Sequence, residues 1–210
     1  MSKTQNSNST AIILLAAGMA KRMGTPKQLL PLGKSTIMGI TLDNILASDA
    51  NQVIVVVGAM AKATIKIAEQ TKAVIAYNPD YKLGMSTSLR KGIEQLNPDC
   101  QFFMIALADQ PLAKTETYNL LLKKAEVSQK GITVPVHRGQ KGNPIVFRQT
   151  HLPELLSLEG DVGGRELLLR HPDDILQVEV DDPGVITNIN TLTDYEKIKS
   201  QFTQGGCQSA

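Results

Sequence analysis

The sequence AIILLAAGMAKRMGTPKQLLPL, residues 11–32, decides the fold. It begins with an apolar run of the length expected for a strand buried on both faces, and it then changes to small residues at 16–18. Three cations follow at Lys21, Arg22 and Lys27. Small residues allow a backbone to approach a ligand closely, and cations attract its charge. This strand, turn and basic loop therefore predict a phosphate-binding site.

Two common phosphate-binding motifs do not fit this stretch. The Walker A pattern needs a glycine at the position that Gln28 occupies. The dinucleotide pattern G-x-G-x-x-G needs a second glycine where Ala20 follows Gly18. The loop is therefore a different kind of phosphate site.

The remainder of the chain alternates short apolar runs with amphipathic segments. This pattern predicts a doubly wound α/β fold with a mostly parallel sheet, whose ligands bind at the carboxyl ends of the strands. Pro79 and Gly84 predict that the segment between them is not helical. After the first strand, the predicted strands are 52–57, 73–77, 101–108, 132–136, 145–147 and 175–180, and the predicted helices are 35–47, 61–71, 86–96, 115–126, 166–170 and 193–201.

Length and composition favour a single domain. The chain has 210 residues, 42% of them hydrophobic, which suffices for one α/β core. We predict a flexible N-terminal segment at 1–10, one domain at 11–203 and a disordered tail at 204–210. Ser35 or Thr36 is the expected cap of the first helix.

The charge balance argues against nucleic acid or an anionic membrane as a partner. The formal net charge is +2, from 22 basic and 20 acidic residues. No apolar run is long enough to span a membrane, and the polar N-terminus has no signal-peptide pattern. We expect a cytoplasmic protein.

Cysteine and histidine suggest no zinc site and no covalent hydrolase. Cys100 and Cys207 are far apart in sequence, and His137, His151 and His171 are scattered and form no recognised catalytic or metal-binding motif.

Asp109 is the acidic candidate for the site. It directly follows an unbroken apolar strand, and Pro111 ends that strand. A carboxylate at this end of a central strand faces the ligand crevice, where it can bind Mg²⁺ together with substrate phosphates. The alternative is that Asp109 caps the helix that starts near Lys114.

Ser88 is the polar candidate at the start of the helix predicted at 86–96. The backbone N–H groups at a helix N-terminus and nearby hydroxyls can contact an anion or a polar base edge. Ordinary helix capping is the alternative. We expect Ser88 to contact a nucleotide.

The opening stretch resembles the signature of a known enzyme family. The pattern LAAG-x-x-x-R-M-G-x-P-K-x-L-L-P is similar to that of the MobA-like NTP transferase family, and most similar to the molybdenum cofactor cytidylyltransferases. The resemblance extends from residue 12 to about 195. It implies a Rossmann-like fold of the nucleotide-diphospho-sugar transferase type. The matching positions are Gly18, Arg22, Met23, Gly24, Pro26, Lys27, Leu29, Leu30 and Pro31.

The resemblance also implies roles for individual residues. Arg22, Lys27 and Asp109 are the implied catalytic residues, and Lys27 is expected to be an exposed cation. The implied metal ligands for Mg²⁺ are Asp109 and Asn190. The implied nucleotide-binding residues are Leu15, Ala16, Ala17, Gly18, Arg22, Lys27, Gly84 and Ser88.

Two further motifs point to the acceptor. Gly142, Asn143 and Pro144 match the end of the family's G-x-x-G-[HN]-P motif, and a plain connection between strands is the alternative. Asp161 and Arg165 match G-D-x-G-x-R, and they are expected to clamp one another or the acceptor.

The choice of base depends on conflicting signals. Related cytidylyltransferases often carry D-x-D-T-P where this chain has Asn188 and Asn190, with Leu192 in place of the proline. Asparagine still offers an oxygen to Mg²⁺, but without a negative charge. N-x-N-T-P endings also occur in related guanylyltransferases, whereas Ala17 fits the cytidylyl members better.

Taken together, the resemblance implies transfer of CMP from CTP to the terminal phosphate of molybdopterin, with release of pyrophosphate. The expected partners are CTP or another NTP, a molybdopterin-type phosphorylated acceptor and a molybdoenzyme. The alternatives are a guanylyltransferase for the same cofactor, a cytidylyltransferase for another phosphorylated small molecule, a non-catalytic cofactor carrier and a nucleotide-sensing module.

Overall fold

The computed structural model describes residues 9–18 and 26–205, with side chains up to residue 202. The strands are β1 (Ser9–Ala16), β2 (Pro31–Leu32), β3 (Ser35–Thr36), β4 (Gln52–Val57), β5 (Val74–Tyr77), β6 (Cys100–Leu107), β7 (Ile132–His137), β8 (Gln140–Lys141), β9 (Ile145–Arg148) and β10 (Ile175–Glu179). The α-helices are α1 (Ile37–Leu46), α2 (Ala61–Ala68), α3 (Met85–Ile93), α4 (Thr115–Val127), α5 (Leu152–Leu156), α6 (Glu166–Arg170) and α7 (Leu192–Gly205). Short 3₁₀ helices lie at Lys27–Leu29, Tyr81–Leu83, Gln149–His151, Pro172–Asp174 and Pro183–Ile186.

The main sheet has the strand order β10-β7-β9-β6-β1-β4-β5, and β8 pairs with β7 at its side. Strand β1 is parallel to both β4 and β6, and β4 is parallel to β5. Strand β9 runs antiparallel between β6 and β7, and β10 is again parallel to β7. The sheet is therefore mostly parallel, which confirms the predicted fold class. Strands β2 and β3 form a small separate hairpin.

The hydrophobic core lies on both faces of the sheet, because alternate strand residues point to opposite sides. In β1, Ile12 and Leu14 pack into the layer that contains α1, α2 and α4. Ala11 and Ile13 pack into the opposite layer, which contains α3, α5 and α6. Helices on both faces bury the unbroken apolar runs from which the strands were predicted.

The predicted helices are present, with shifted ends. Helix α1 begins after Thr36, whose hydroxyl accepts a hydrogen bond from Gly39 N at 3.0 Å, so Thr36 is the cap. Helix α2 stops at Ala68 and α3 at Ile93, three residues before the predicted ends. The segment at 79–84 was expected to contain no helix, but one 3₁₀ turn forms at Tyr81–Leu83, since a single turn does not need the donor that a proline lacks.

The predicted terminal segments, 1–10 and 204–210, lie largely outside the described residues. Where the structure reaches them, Ser9 begins β1 and α7 continues to Gly205. Within the described chain, every helix is too short or too polar to cross a membrane.

Candidate active site

A cleft of about 540 Å³ opens at the carboxyl ends of β1 and β6. The two strands are adjacent and in register up to Leu15 and Leu107, so the chain segments that leave them lie side by side. The fold therefore brings the opening turn and Asp109 to one place, as predicted. The lining is formed by residues 15–18, 27–28, 81–85 and 107–109, with Ser88, Asp161, Asn188 and Asn190.

Lys27, Asp109 and Asn190 form the charged centre of the cleft. The Lys27 ammonium donates to Asp109 Oδ2 at 2.5 Å and to Asn190 Oδ1 at 3.0 Å. The side chains of Lys27 and Asp109 are only 21% and 14% exposed, so water screens this ion pair weakly. The expectation that Lys27 is an exposed cation is wrong, because the carboxylate draws its side chain into the cleft.

Hydrogen bonds from the segment before α7 fix the direction of the Asp109 carboxylate. Asn188 Nδ2 donates to Asp109 Oδ1 at 3.2 Å, and Ile189 N donates to the Asp109 carbonyl at 3.1 Å. Gln110 Nε2 in turn donates to Val185 O at 3.0 Å and to Asn188 Oδ1 at 3.3 Å. Both asparagines of the N-x-N sequence thus belong to the site, although the sequence analysis assigned a role only to Asn190.

Asp109 does not cap α4, which was the alternative prediction for this carboxylate. Asp182, only 2% exposed, accepts hydrogen bonds from Lys114 N at 2.9 Å and Thr117 Oγ1 at 2.6 Å. It also accepts from Gly184 N at 2.9 Å. Asp182, from a distant segment, therefore accepts the hydrogen bonds at the start of α4. The Asp109 side chain lines the cleft instead.

The oxygen donors at the charged centre are of the kind that a hard divalent cation takes. Asp109 offers a carboxylate and Asn190 an amide oxygen, and both contact one point, where the Lys27 ammonium lies. Magnesium is commonly held by one or two carboxylates together with substrate phosphates and water. Among the described residues, no cluster of three or more His, Cys, Asp or Glu side chains is suited to hold a metal, so a cation here would rely on its substrate for further ligands.

Gln28 supports the turn after β1, a role that the sequence did not reveal. Its side chain is 4% exposed, and its Nε2 donates to Ala16 O and Gly18 O, both at 3.3 Å. These bonds hold the backbone of the small-residue turn against the cleft. The position of Gln28 next to the lysine that was predicted to be catalytic was the available signal, but polar residues in loops are usually solvated.

The N-terminus of α3 is less free than predicted. Asp161 Oδ1 accepts from Met85 N at 3.3 Å, and Gly160 O accepts from Ser86 N at 3.2 Å. Two of the backbone donors expected to contact an anion are thus already satisfied within the protein. Ser88 does line the cleft, together with Gly84.

The backbone conformation and the close packing at position 84 require a glycine. Its φ is +119°, and a Cβ at this position would lie 2.2 Å from the carbonyl carbon and oxygen of Gly160. The backbones at 84 and 160 are therefore in direct contact, and no L side chain fits between them. This contact joins the loop before α3 to the loop that carries Asp161.

The residues assigned to the acceptor divide into two groups. Asp161 lines the cleft, whereas Gly142, Asn143, Pro144 and Arg165 do not. Asp161 and Arg165 do not clamp one another, because Arg165 Nη2 donates to Lys141 O at 2.8 Å while Asp161 binds the start of α3. This pairing fastens the loop before α6 to β8.

The Gly142 to Pro144 segment connects two strands in a tight arrangement. Gly142 N donates to Pro135 O and Asn143 N to Val185 O, both at 2.8 Å, and the Asn143–Pro144 peptide is cis. These contacts fit the alternative prediction, a plain connection between strands, because both backbone N–H groups donate to carbonyls within the protein. Contact with an acceptor stays a prediction.

Arg22 lies outside the described residues, together with the rest of the basic loop at 19–25. Its predicted catalytic and nucleotide-binding roles stay predictions. The other predicted nucleotide-binding positions, 15–18, Lys27, Gly84 and Ser88, all line the cleft.

Two histidines that are scattered in sequence meet outside this site. His151 pairs with Asp174 at 2.9 Å and His171 with Glu154 at 2.8 Å, and their ring centroids are 5.2 Å apart. The hydrogen bond from His171 holds the pKa of Glu154 below its ordinary value. Burial raises the pKa of the Cys100 thiol to about 11, which makes it a poor nucleophile at neutral pH.

Comparison with known proteins identifies relatives over nearly the whole chain. Residues 12–175 match the model of the MobA-like NTP transferase domain. The chain is 28% identical over 193 residues to molybdenum cofactor cytidylyltransferase of Escherichia coli strain K12, covering 91% of this chain and 96% of that protein. It is 27% identical over 188 residues to nicotine blue oxidoreductase of Paenarthrobacter nicotinovorans, covering 86% and 91%.

A solved structure supports the same fold. The crystal structure of Rv0371C from Mycobacterium tuberculosis in complex with manganese is 26% identical and superposes with a TM-score of 0.76. The match covers 92% of this chain and 98% of that one.

Proposed function

The chain belongs to the MobA-like NTP transferase family, and we propose that within this family it transfers CMP from CTP to the terminal phosphate of molybdopterin and releases pyrophosphate. The coarser activity, that of a nucleotidyltransferase, follows from the family. The observation that carries the proposal is the partly buried Lys27–Asp109–Asn190 centre at the carboxyl ends of β1 and β6. The name of the Escherichia coli relative supports the choice of CTP and of the cofactor.

In the proposed reaction, an oxygen of the acceptor's terminal phosphate attacks the α-phosphorus of CTP in line, and pyrophosphate leaves. No covalent enzyme intermediate is needed, so the protein acts by positioning the two substrates and by neutralising the negative charge of the phosphates. The Lys27 ammonium neutralises the triphosphate, and the turn at 16–18, held by Gln28, presents its backbone to the nucleotide.

We assign Mg²⁺ to Asp109 and Asn190, whose oxygens converge on one point. When bound, the ion would neutralise negative charge on the phosphates of the substrate and of the leaving pyrophosphate. The manganese in the Rv0371C crystal structure is in keeping with a divalent cation in such a protein.

Pyrophosphate release with each of the four NTPs, measured with Mg²⁺ and with or without molybdopterin, tests this function. We expect turnover with CTP that depends on molybdopterin. A preference for GTP would instead favour a guanylyltransferase. The N-x-N sequence formed by Asn188 and Asn190 resembles the endings of such enzymes. Turnover with CTP and a different phosphorylated acceptor would replace molybdopterin in the proposal.

The same assay separates an enzyme from a carrier or sensor. A carrier of the finished cofactor, or a nucleotide sensor, would bind its ligand but release no pyrophosphate with any acceptor. The name of the Paenarthrobacter relative describes a redox reaction, but this chain has no G-x-G-x-x-G pattern after β1. Delivery of the product to a molybdoenzyme is the partner interaction that the proposal implies.

A further inference from the structure

A fully buried asparagine lies beside the cleft without lining it. Asn78 follows β5, is 0% exposed, and donates its backbone N–H to Val57 O at 2.9 Å. Its side-chain Oδ1 accepts a hydrogen bond from Asp80 N at 3.0 Å. A backbone N–H can only donate, so the amide atom that faces it must be the oxygen.

The orientation of the Asn78 amide determines what its nitrogen contacts. Nδ2 donates one proton to Thr87 Oγ1 and the other to Ser88 Oγ, both at 2.9 Å. The single hydroxyl proton of Thr87 has two acceptors within reach, Gly84 O at 2.9 Å and Asp80 O at 3.1 Å. All the hydrogen-bonding groups of Thr87's side chain are therefore used within the protein.

Ser88 differs from Thr87 in this respect. Its oxygen accepts from Asn78, so its proton must point elsewhere, and within the described residues no acceptor for that proton is present. A serine in a helix often donates to a carbonyl one turn earlier, but here Gly84 O accepts from the Thr87 hydroxyl and not from Ser88. Ser88 is 5% exposed and lines the cleft, so its hydroxyl is a buried donor directed away from Asn78.

The position of Ser88 indicates which part of a nucleotide it meets. The charged centre lies where β1 adjoins β6, whereas α3 packs on the other side, against β1 and β4. Phosphates belong at the charged centre, because the Lys27 ammonium attracts them and Asp109 is assigned to the Mg²⁺ ion that would bind them. The uncharged end of the nucleotide then extends toward α3.

We propose that Asn78 is a positioning residue that directs the Ser88 hydroxyl proton toward an acceptor atom of the nucleobase, such as a ring carbonyl oxygen. This proposal rests on the proposed function in one respect, namely that the ligand of the cleft is a nucleotide. The bond from Asn78 occupies one of the two acceptor lone pairs of Ser88 and leaves its single proton directed away from Asn78, so the hydroxyl favours a base that presents an acceptor at this point.

The first experiment compares Ser88→Ala with Thr87→Val as a matched control. CTP binding is measured by calorimetry with Mg²⁺ and no acceptor, so the result does not depend on turnover. We expect Ser88→Ala to weaken CTP binding by roughly three- to tenfold, as for loss of one neutral hydrogen bond. Thr87→Val removes the other partner of Asn78 and should leave CTP affinity unchanged. Equal affinities for wild type and Ser88→Ala would overturn the proposal.

The second experiment tests whether Asn78 acts through Ser88. In Asn78→Asp both side-chain oxygens accept, so Ser88 is expected to donate to position 78 and lose its donor role toward CTP. We expect the same weakening of CTP binding as for Ser88→Ala, and no further weakening in the double variant. Independent, additive losses would show a merely structural role for Asn78. Should Asn78→Asp fail to fold, Asn78→Ser provides the same cycle.

Repeating the measurements with 2′-deoxy-CTP separates the base from the sugar. The loss caused by Ser88→Ala should persist with the deoxynucleotide, and its disappearance would place the contact on the ribose and overturn the assignment to the base. The binding experiments test the base contact separately from the proposed catalytic function. Wild-type protein that binds CTP through Ser88 but releases no pyrophosphate would refute the function alone, whereas absence of nucleotide binding would refute both.

Discussion

Replacing Lys27 by methionine should increase the affinity of the nucleotide-free protein for Mn²⁺, used in place of Mg²⁺. In the wild-type structure a cation can reach both Asp109 and Asn190 only after displacing the Lys27 ammonium, which lies 2.5 and 3.0 Å from their oxygens. Hydrogen bonds to charged groups contribute about 1.5–3 kcal/mol. Since about 1.4 kcal/mol corresponds to a factor of ten, we expect roughly ten- to a hundredfold tighter binding of Mn²⁺.

The assay is a titration with Mn²⁺ in which free ion is measured by electron paramagnetic resonance. Lys82→Met is the matched control, because Lys82 also lines the cleft but its ammonium lies over the Tyr81 ring, 6.0 Å from the centroid. Both variants lower the net charge by one, and only Lys27→Met frees the two oxygens. Equal Mn²⁺ affinities for wild type and Lys27→Met would refute the reasoning, as would an equal gain in the control.

The same variant should behave in the opposite way when CTP is present. The triphosphate offers Lys27 a new partner, so in the wild type the metal and the ammonium no longer compete for one place. We therefore expect the advantage of Lys27→Met in Mn²⁺ binding to disappear with CTP, while pyrophosphate release falls by orders of magnitude. Some stability should also be lost, since the partly buried Asp109 carboxylate keeps Asn188 but no cation.

Three further predictions concern other parts of the molecule. Asp109→Asn should lower pyrophosphate release by about a hundredfold or more while calorimetry shows CTP binding retained within a few-fold, and full turnover would rule out its catalytic role. Gly84→Ala should lower stability by about 1–3 kcal/mol in urea unfolding, because its Cβ collides with Gly160, and an unchanged midpoint would contradict the contact. The pKa of Glu154 is lowered by its hydrogen bond with His171, so the stability it contributes is present above the ordinary value of 4.5 and is lost as the pH falls below it. Melting temperatures of wild type and Glu154→Gln should therefore converge as the pH falls below 4.5, and a constant difference would exclude this linkage.

The sequence was most informative where local patterns determine structure. The apolar run of β1, the β-branched run of β4 and the run before Asp109 predicted buried parallel strands, and the carboxyl ends of such strands necessarily meet at one edge. Lys27 and Asp109, 82 positions apart, were therefore predicted to face the same crevice. The helix ends were less well predicted, since tertiary packing decides where the last turn frays.

The missed residues act through long-range contacts that no local pattern contains. Gln28 bonds to carbonyls at the end of β1 and in the turn after it, and Asp182 caps a helix 68 positions earlier in the chain. Asp161 was expected to meet an acceptor or Arg165, but it binds the start of α3. In each case a polar side chain satisfies backbone groups of another segment, and its partner depends on the assembled fold.

The position of β1 between β4 and β6 has a consequence for synthesis on the ribosome. Strand β1 can pair with β4 as soon as both have emerged, but its other neighbour appears only when the chain has reached Leu107. Such distant pairings slow folding, because the intervening loop must close first. Asn190 joins the cleft later still. A nascent chain can thus begin its sheet early, yet the cleft is complete only after Asn190 has emerged, so a product truncated before this residue lacks part of the cleft lining.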